Sequence, residues 1–291
     1  MSKDKIKKIP VIGAMVKILG GFLRTYREKW KTYRLYLTHK KYQGKNIALK
    51  GTLKNTRCFI VATGPSINTQ DLSGLENEYC ISLSNFFIHE KFSQIKPAFH
   101  LFVQSHSPIT DEQWAVWWKD AEKHFPSGQK ILAASVDRYV AEDFTIFKNQ
   151  DVYYYSIGQK KLRPRDTIDL TKQLPMAQTS AQIGIYLACY MGIKEIYLIG
   201  CDHDWIKHVG ESRHFYDEKK SALMQTGYNE WTKGGASKFE FALESTLKLW
   251  KRYGEIAEYA HQHGIKIYNA TPGSLLDVFP RVQLEDVLKN K

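Results

Sequence analysis

Residues 177–205 read AQTSAQIGIYLACYMGIKEIYLIGCDHDW. Apolar side chains fill Ala181 to Met191, which predicts a buried helix. Thr179 and Ser180 stand at its start, where hydroxyls cap the free N–H groups of a first turn. A Gly turn at Gly192 leads into Glu195-Ile196-Tyr197-Leu198-Ile199-Gly200, a short apolar run of strand length. The strand ends in an ionisable cluster, Asp202, His203 and Asp204. In open α/β sheets ligands bind just beyond the carboxyl ends of strands. This one segment therefore nominates both a fold and a site.

The same pattern repeats on the N-terminal side. Thr56 to Ala62 is a short apolar strand that runs into Thr63-Gly64-Pro65-Ser66. A small-residue turn after a strand lets backbone N–H groups face a phosphate or ribose, although it is equally a plain structural turn. It is neither a P-loop nor G-x-G-x-x-G. Further strands are expected at Tyr79 to Leu83, Ala98 to Val103, Lys130 to Ala134 and Val152 to Tyr155. The first of these ends at Asn85, whose amide is able to read a base or a sugar hydroxyl. Trp114, Trp117 and Trp118 lie at helical spacing between Asp111 and His124, a core pattern before a ligand platform. Residues 156–176 read as a loop in which Lys160, Lys161, Arg163 and Arg165 are solvated, with attraction of a phosphorylated or acidic substrate as the alternative.

Beyond the cluster, residues 205–235 are polar and rich in Gly, and carry His208, Arg213, His214 and Tyr216. A long segment of this kind beside a site reads as a lid. An amphipathic helix from Phe239 to His263 and a strand from Ile265 to Asn269 close the pattern. Strands alternating with helices imply a Rossmann-like, doubly wound, mostly parallel α/β sheet carrying a lid insertion.

At 291 residues, with 43% hydrophobic and 25% charged residues, the composition is globular. The 4 cysteines form no C-x-x-C pair and read as buried thiols in a reducing compartment. No apolar run reaches membrane-spanning length, and Pro10, Lys17 and Gly20-Gly21 break any signal-peptide core. Charge is uneven. Residues 1–50 hold 14 Lys/Arg against Asp4 and Glu28, a net +12 that equals the whole chain's, so residues 51–291 sum to zero. Ile12, Met15, Val16, Leu19, Phe22, Leu23, Tyr26, Trp30, Tyr33 and Leu37 recur at helical steps within that leader. An apolar stripe with Trp and Tyr, flanked by Lys and Arg, suits a helix lying on an anionic membrane. Packing on the body or against a second copy of the chain is the alternative. The neutral body and the lack of a binding motif argue against nucleic acid. The expected organisation is a basic amphipathic helix over 1–50 and a catalytic domain over 51–291. The expected location is cytoplasmic, peripheral on the inner membrane face.

Five motifs occur in order: Ala62-Thr63-Gly64-Pro65-Ser66, Ser84-Asn85-Phe86, Thr179-Ser180 with its helix, Lys194 to Asp202, and Pro272-Gly273-Ser274-Leu275-Leu276. Together they resemble the bacterial sialyltransferases of glycosyltransferase family 42, and the wider Maf-type and DUF115 group that includes an archaeal pterin pyrophosphokinase. The resemblance spans about residues 56–280. It implies inverting, metal-free transfer from a CMP-linked acid sugar to a surface or lipid-linked glycan. It implies that Gly64, Pro65 and Ser66, with Thr63, line the nucleotide. It also implies that Asn85 contacts the ribose or phosphate region, that Thr179 and Ser180 hold the donor, and that Asp202 supports the nucleotide end. The chain departs from the family at three places. Thr63 replaces an Asn. His214 falls where a lid tyrosine is expected. Gly235-Ala236-Ser237-Lys238 lacks the histidine that serves the family as base.

A replacement base is therefore sought among His203, His214, Asp204 and His208, in that order of preference with His208 last. Asp202-His203-Asp204 also reads as D-x-D, the pattern that holds Mg²⁺ or Mn²⁺ on a donor diphosphate, and a metal-dependent transferase is the first alternative. An ATP-dependent pyrophosphokinase and a non-catalytic nucleotide-binding protein complete the field.

Overall fold

A computed structural model describes residues 40–289 apart from residues 55, 210, 212 and 228–237, together with Trp30, Tyr33 and Leu37 ahead of them. Eight strands form one sheet in the order β6-β5-β4-β3-β2-β1-β7-β8. They are β1 Arg57–Val61, β2 Tyr79–Leu83, β3 Phe99–Leu101, β4 Lys130–Ala134, β5 Asp151–Ile157, β6 Gln173–Leu174, β7 Glu195–Ile199 and β8 Lys266–Asn269. Every pairing is parallel.

Parallel strands are buried on both faces, so they read as continuous apolar runs. In β1, Cys58 and Ile60 join one core and Phe59 and Val61 the other. Phe59, Tyr197 and Tyr268 stand in register across β1, β7 and β8 and stack with ring centroids 4.9 Å and 5.2 Å apart. Helices cover each face. On the tryptophan side lie α1 Phe92–Ile95, α2 Asp111–Glu122 and α7 Leu284–Lys289. α3 Arg138–Asp143 follows β4, and α5 Ala222–Gln225 lies in the segment after β7. On the other side lie α4 Ser180–Met191 and α6 Phe239–Gln262.

The chain starts in the middle of the sheet at β1 and steps outward to β6. It then returns through α4 to place β7 on the opposite side of β1. That reversal opens a crevice between β1 and β7 at their carboxyl ends.

Two expectations are corrected. Residues 156–176 are not all loop: β5 runs to Ile157 and Gln173–Leu174 forms an edge strand. Lys160 in that stretch pairs with Asp166 at 2.8 Å and does not line the cavity described below. The hydroxyls of Thr179 and Ser180 do not cap α4; Thr179 occupies the N-cap position without a side-chain bond to the first turn.

Part of the segment read as leader belongs to the packed body. Gln43 and Asn46 are fully buried beneath β5 and the loop before β6. Asn46 donates to the carbonyls of Tyr154 at 2.7 Å and Leu170 at 2.8 Å. Trp30, Tyr33 and Leu37 are about half exposed, and most of the remaining amphipathic stripe lies outside the described residues. Among the described residues, no helix is long and apolar enough to cross a membrane.

Candidate active site

A cavity of about 280 Å³ opens at the carboxyl ends of β1, β2, β3 and β7, under the segment that follows β7. Thr63, Gly64, Asn85, Thr179, Ser180, Asp202, His203 and His214 all line it. Pro65, Ser66 and Asp204 do not line it.

The turn after β1 is built around Asp202. The Ser66 N–H donates to one Asp202 carboxylate oxygen at 3.1 Å, and the Ser66 hydroxyl to the other at 2.7 Å. The Gly64 N–H donates to the Gly200 carbonyl at 2.9 Å. A Cβ on Gly64 would lie 1.9 Å from Asp202 Oδ2 and 2.6 Å from the Gly200 oxygen. Gly64 is thus required by the approach of Asp202, and the N–H groups of Gly64 and Ser66 are already spent inside the protein. Burial raises the Asp202 carboxyl above its ordinary range, and the Ser66 bonds oppose that rise.

The other side of Asp202 rests on the segment after β8. The Thr271 hydroxyl accepts from the Cys201 N–H at 3.0 Å, and the Ser274 hydroxyl donates to the Cys201 carbonyl at 2.7 Å. The Leu275 N–H donates to the Asp202 carbonyl at 3.0 Å. The Pro272-Gly273-Ser274 stretch buttresses the site without lining it.

His203 adopts φ 49°, a left-handed conformation uncommon outside glycine. Its Nε2 lies 2.8 Å from the Tyr253 hydroxyl, and its Nδ1 is buried with no partner among the described residues. Burial lowers its pKa to about 4, so the ring is neutral near pH 7. Asp204 accepts from Arg213 Nη2 at 2.7 Å and faces His208 at 3.6 Å. The two carboxylates of the D-x-D pattern are therefore turned to different protein partners, Ser66 and Arg213. They do not form a joint ligand pair, and no cluster of three or more metal-ligating side chains occurs among the described residues.

The segment after β7 is fastened across the cavity. The Phe215 N–H donates to the Thr63 carbonyl at 2.9 Å, and Asn68 donates to the Phe215 carbonyl at 2.8 Å. Asn85 donates to the Tyr216 hydroxyl at 2.6 Å and accepts from Trp117 Nε1. The Asn85 amide thus clamps lid to body in this state, at both of its ends. His214 stacks flat on Tyr216 at 5.1 Å. Its Nδ1 lies 3.2 Å from the Thr63 hydroxyl and its Nε2 3.1 Å from Glu218. Residues 228–237, including the Gly235–Ser237 part of the stretch aligned with the family's histidine, lie outside the described residues.

A second cavity of about 320 Å³ adjoins the first through Val103, His106 and Thr179. Its wall carries Ser105, Ser135, Ser156, Gln104, Gln173 and Gln178. Asp137 lies beneath it, accepts from the Ser105 N–H at 2.9 Å, and is pushed up to about 6 by burial. Sequence reading gave no role to Glu218, Tyr253 or Asp137. Glu218 follows His214 by four residues, but in an irregular segment that spacing carries no signal.

No protein-family profile and no curated protein matches the chain. Solved structures of the sialyltransferase CstII are similar in chain path. CstII from Campylobacter jejuni in complex with cytidine-5'-monophosphate aligns over 79% of this chain and 86% of that one, at 16% identity and a TM-score of 0.42. The complex with CMP-3FNeuAc aligns over 78% and 86%, at 19% identity and 0.42. The complex with a trisaccharide acceptor and CMP aligns over 78% and 85%, at 17% identity and 0.40.

Proposed function

We propose that the protein is an inverting glycosyltransferase that takes an acid sugar from a CMP-linked donor and passes it to a glycan hydroxyl. The observation that carries this reading is convergence. Motif residues spread from Thr63 to Asp202, joined by His214, line one cavity at the reversal point of the sheet. The adjoining cavity, walled by hydroxyls and amides, offers the hydrogen-bonding groups that a polyhydroxylated acceptor needs.

In the reaction, the acceptor oxygen attacks the anomeric carbon on the face opposite the nucleotide. The bond from that carbon to the phosphate oxygen breaks, and its electron pair leaves with the phosphate. The acceptor proton goes to His214, whose Nδ1 faces Thr63 while Glu218 steadies the ring and the imidazolium from the other side. His203, held neutral by burial, serves as a hydrogen-bonding group in the wall. The basic leader holds the enzyme against an anionic membrane face, where a lipid-linked acceptor would be presented.

Thermal-shift measurements with CMP, CDP, UDP, GDP and ATP, in EDTA and in Mn²⁺ or Mg²⁺, test the assignment. Stabilisation by CMP in EDTA is expected. Stabilisation confined to ATP with Mg²⁺ points to pyrophosphoryl transfer, and stabilisation by UDP or GDP confined to Mn²⁺ to a D-x-D enzyme.

A further inference from the structure

Transfer from a nucleotide donor builds negative charge on the departing phosphate, and a site without a metal must meet that charge with its own groups. The turn after β1 is poorly placed to do so. Its Gly64 and Ser66 N–H groups are bonded to Gly200 and Asp202. Among the described residues lining the cavity, Arg213 is the one side chain with a permanent positive charge. One of its amino groups is held by Asp204 at 2.7 Å. Its Nε is buried without a partner among the described residues. A buried N–H left unpaired beside a cavity marks a place where an acceptor on a ligand completes the bonding, because buried donors left unpaired are costly.

We propose that Arg213 receives the phosphate of the donor and that Asp204 is the residue that positions it, a reading that rests on the donor assignment above. As the anomeric carbon–oxygen bond breaks, the electron pair moves onto the phosphate oxygen. The guanidinium N–H groups donate to that oxygen and keep their protons throughout. A fixed arginine thus takes the electrostatic part that a divalent cation plays on a D-x-D pair. The second aspartate of the pattern holds the arginine in place of a metal.

Calorimetric affinities for CMP and for cytidine, in EDTA, test this. The wild type is expected to bind CMP about ten- to a hundredfold more tightly than cytidine, the range for a charge-assisted phosphate contact. Arg213→Gln is expected to bring the two within about threefold of each other, with cytidine affinity unchanged, and Arg213→Lys to keep part of the preference. The wild-type preference should be the same at pH 7 and pH 9, because arginine stays charged. An undiminished preference in Arg213→Gln overturns the role of Arg213 alone. A preference that fades between pH 7 and pH 9 assigns the charge to a histidine and also overturns it. Failure of both cytidine and CMP to bind the wild type overturns the donor reading, and the arginine's role with it.

Discussion

The least replaceable atom in the site is one that Gly64 lacks. A methyl there would collide with Asp202 and with the Gly200 carbonyl, and neither can retreat because Ser66, Thr271 and Ser274 hold the Asp202 loop. Gly64→Ala is expected to cost about 1–3 kcal/mol in urea unfolding, the range for overpacking a rigid site. His214 belongs to the chemistry instead. His214→Asn is expected to lower turnover by about 10²–10⁴-fold while leaving CMP affinity nearly unchanged; a similar rate in the variant removes it as the base. The sequence made Gly64, Asn85, Asp202 and His203 visible because they follow strands, where a local pattern announces a strand end. It could not show that Asn85 spends its amide on Tyr216 and Trp117, or that Glu218 backs His214. Those partners come from segments far apart in the chain or without periodicity.

Elements were legible where burial on two faces leaves an unbroken apolar run. β2 and β4 fall at the expected residues for that reason, and α4 differs by a single residue at its start. The two-residue edge strand β6 has too little sequence to carry a pattern, and α3 is a short turn without a distinctive stripe. The capping expectation at Thr179 fails because its hydroxyl faces the Tyr253 hydroxyl, 3.5 Å away, and does not turn to the helix's first turn. The boundary between leader and body was hidden because Gln43 and Asn46 are polar. Their side-chain N–H groups donate to carbonyls more than 100 positions away. Asn46→Ala would leave the Tyr154 and Leu170 carbonyls without that donor. A loss of about 1–3 kcal/mol in chemical denaturation is expected.

At the scale of the molecule, the path of the chain makes the site, since the outward run to β6 and the return to β7 leave one crevice that both halves of the sequence line. The fold also carries a pH signature. Burial lowers His100 to about 3 and His203 to about 4, against an ordinary 6.5, so the unfolded chain binds protons that the folded chain refuses. Their contribution to stability is complete above pH 6.5 and is lost as pH falls toward those values. Asp137, raised to about 6, acts in the opposite sense between its ordinary 3.8 and 6. From these three groups a net loss on the order of 1 kcal/mol per pH unit is expected on acidification from 6 to 4, and His100→Gln should reduce the slope. Urea titrations across that window read both. The central claim, that the crevice between β1 and β7 holds a nucleotide, is tested most directly by calorimetric titration of CMP in EDTA. The comparison is between the wild type and Ser180→Phe, which fills the crevice from its rim, with circular dichroism to confirm that the variant folds. Saturable binding to the wild type that disappears in the folded variant is the expected result; binding undiminished in the variant, or absent from both, would contradict the account.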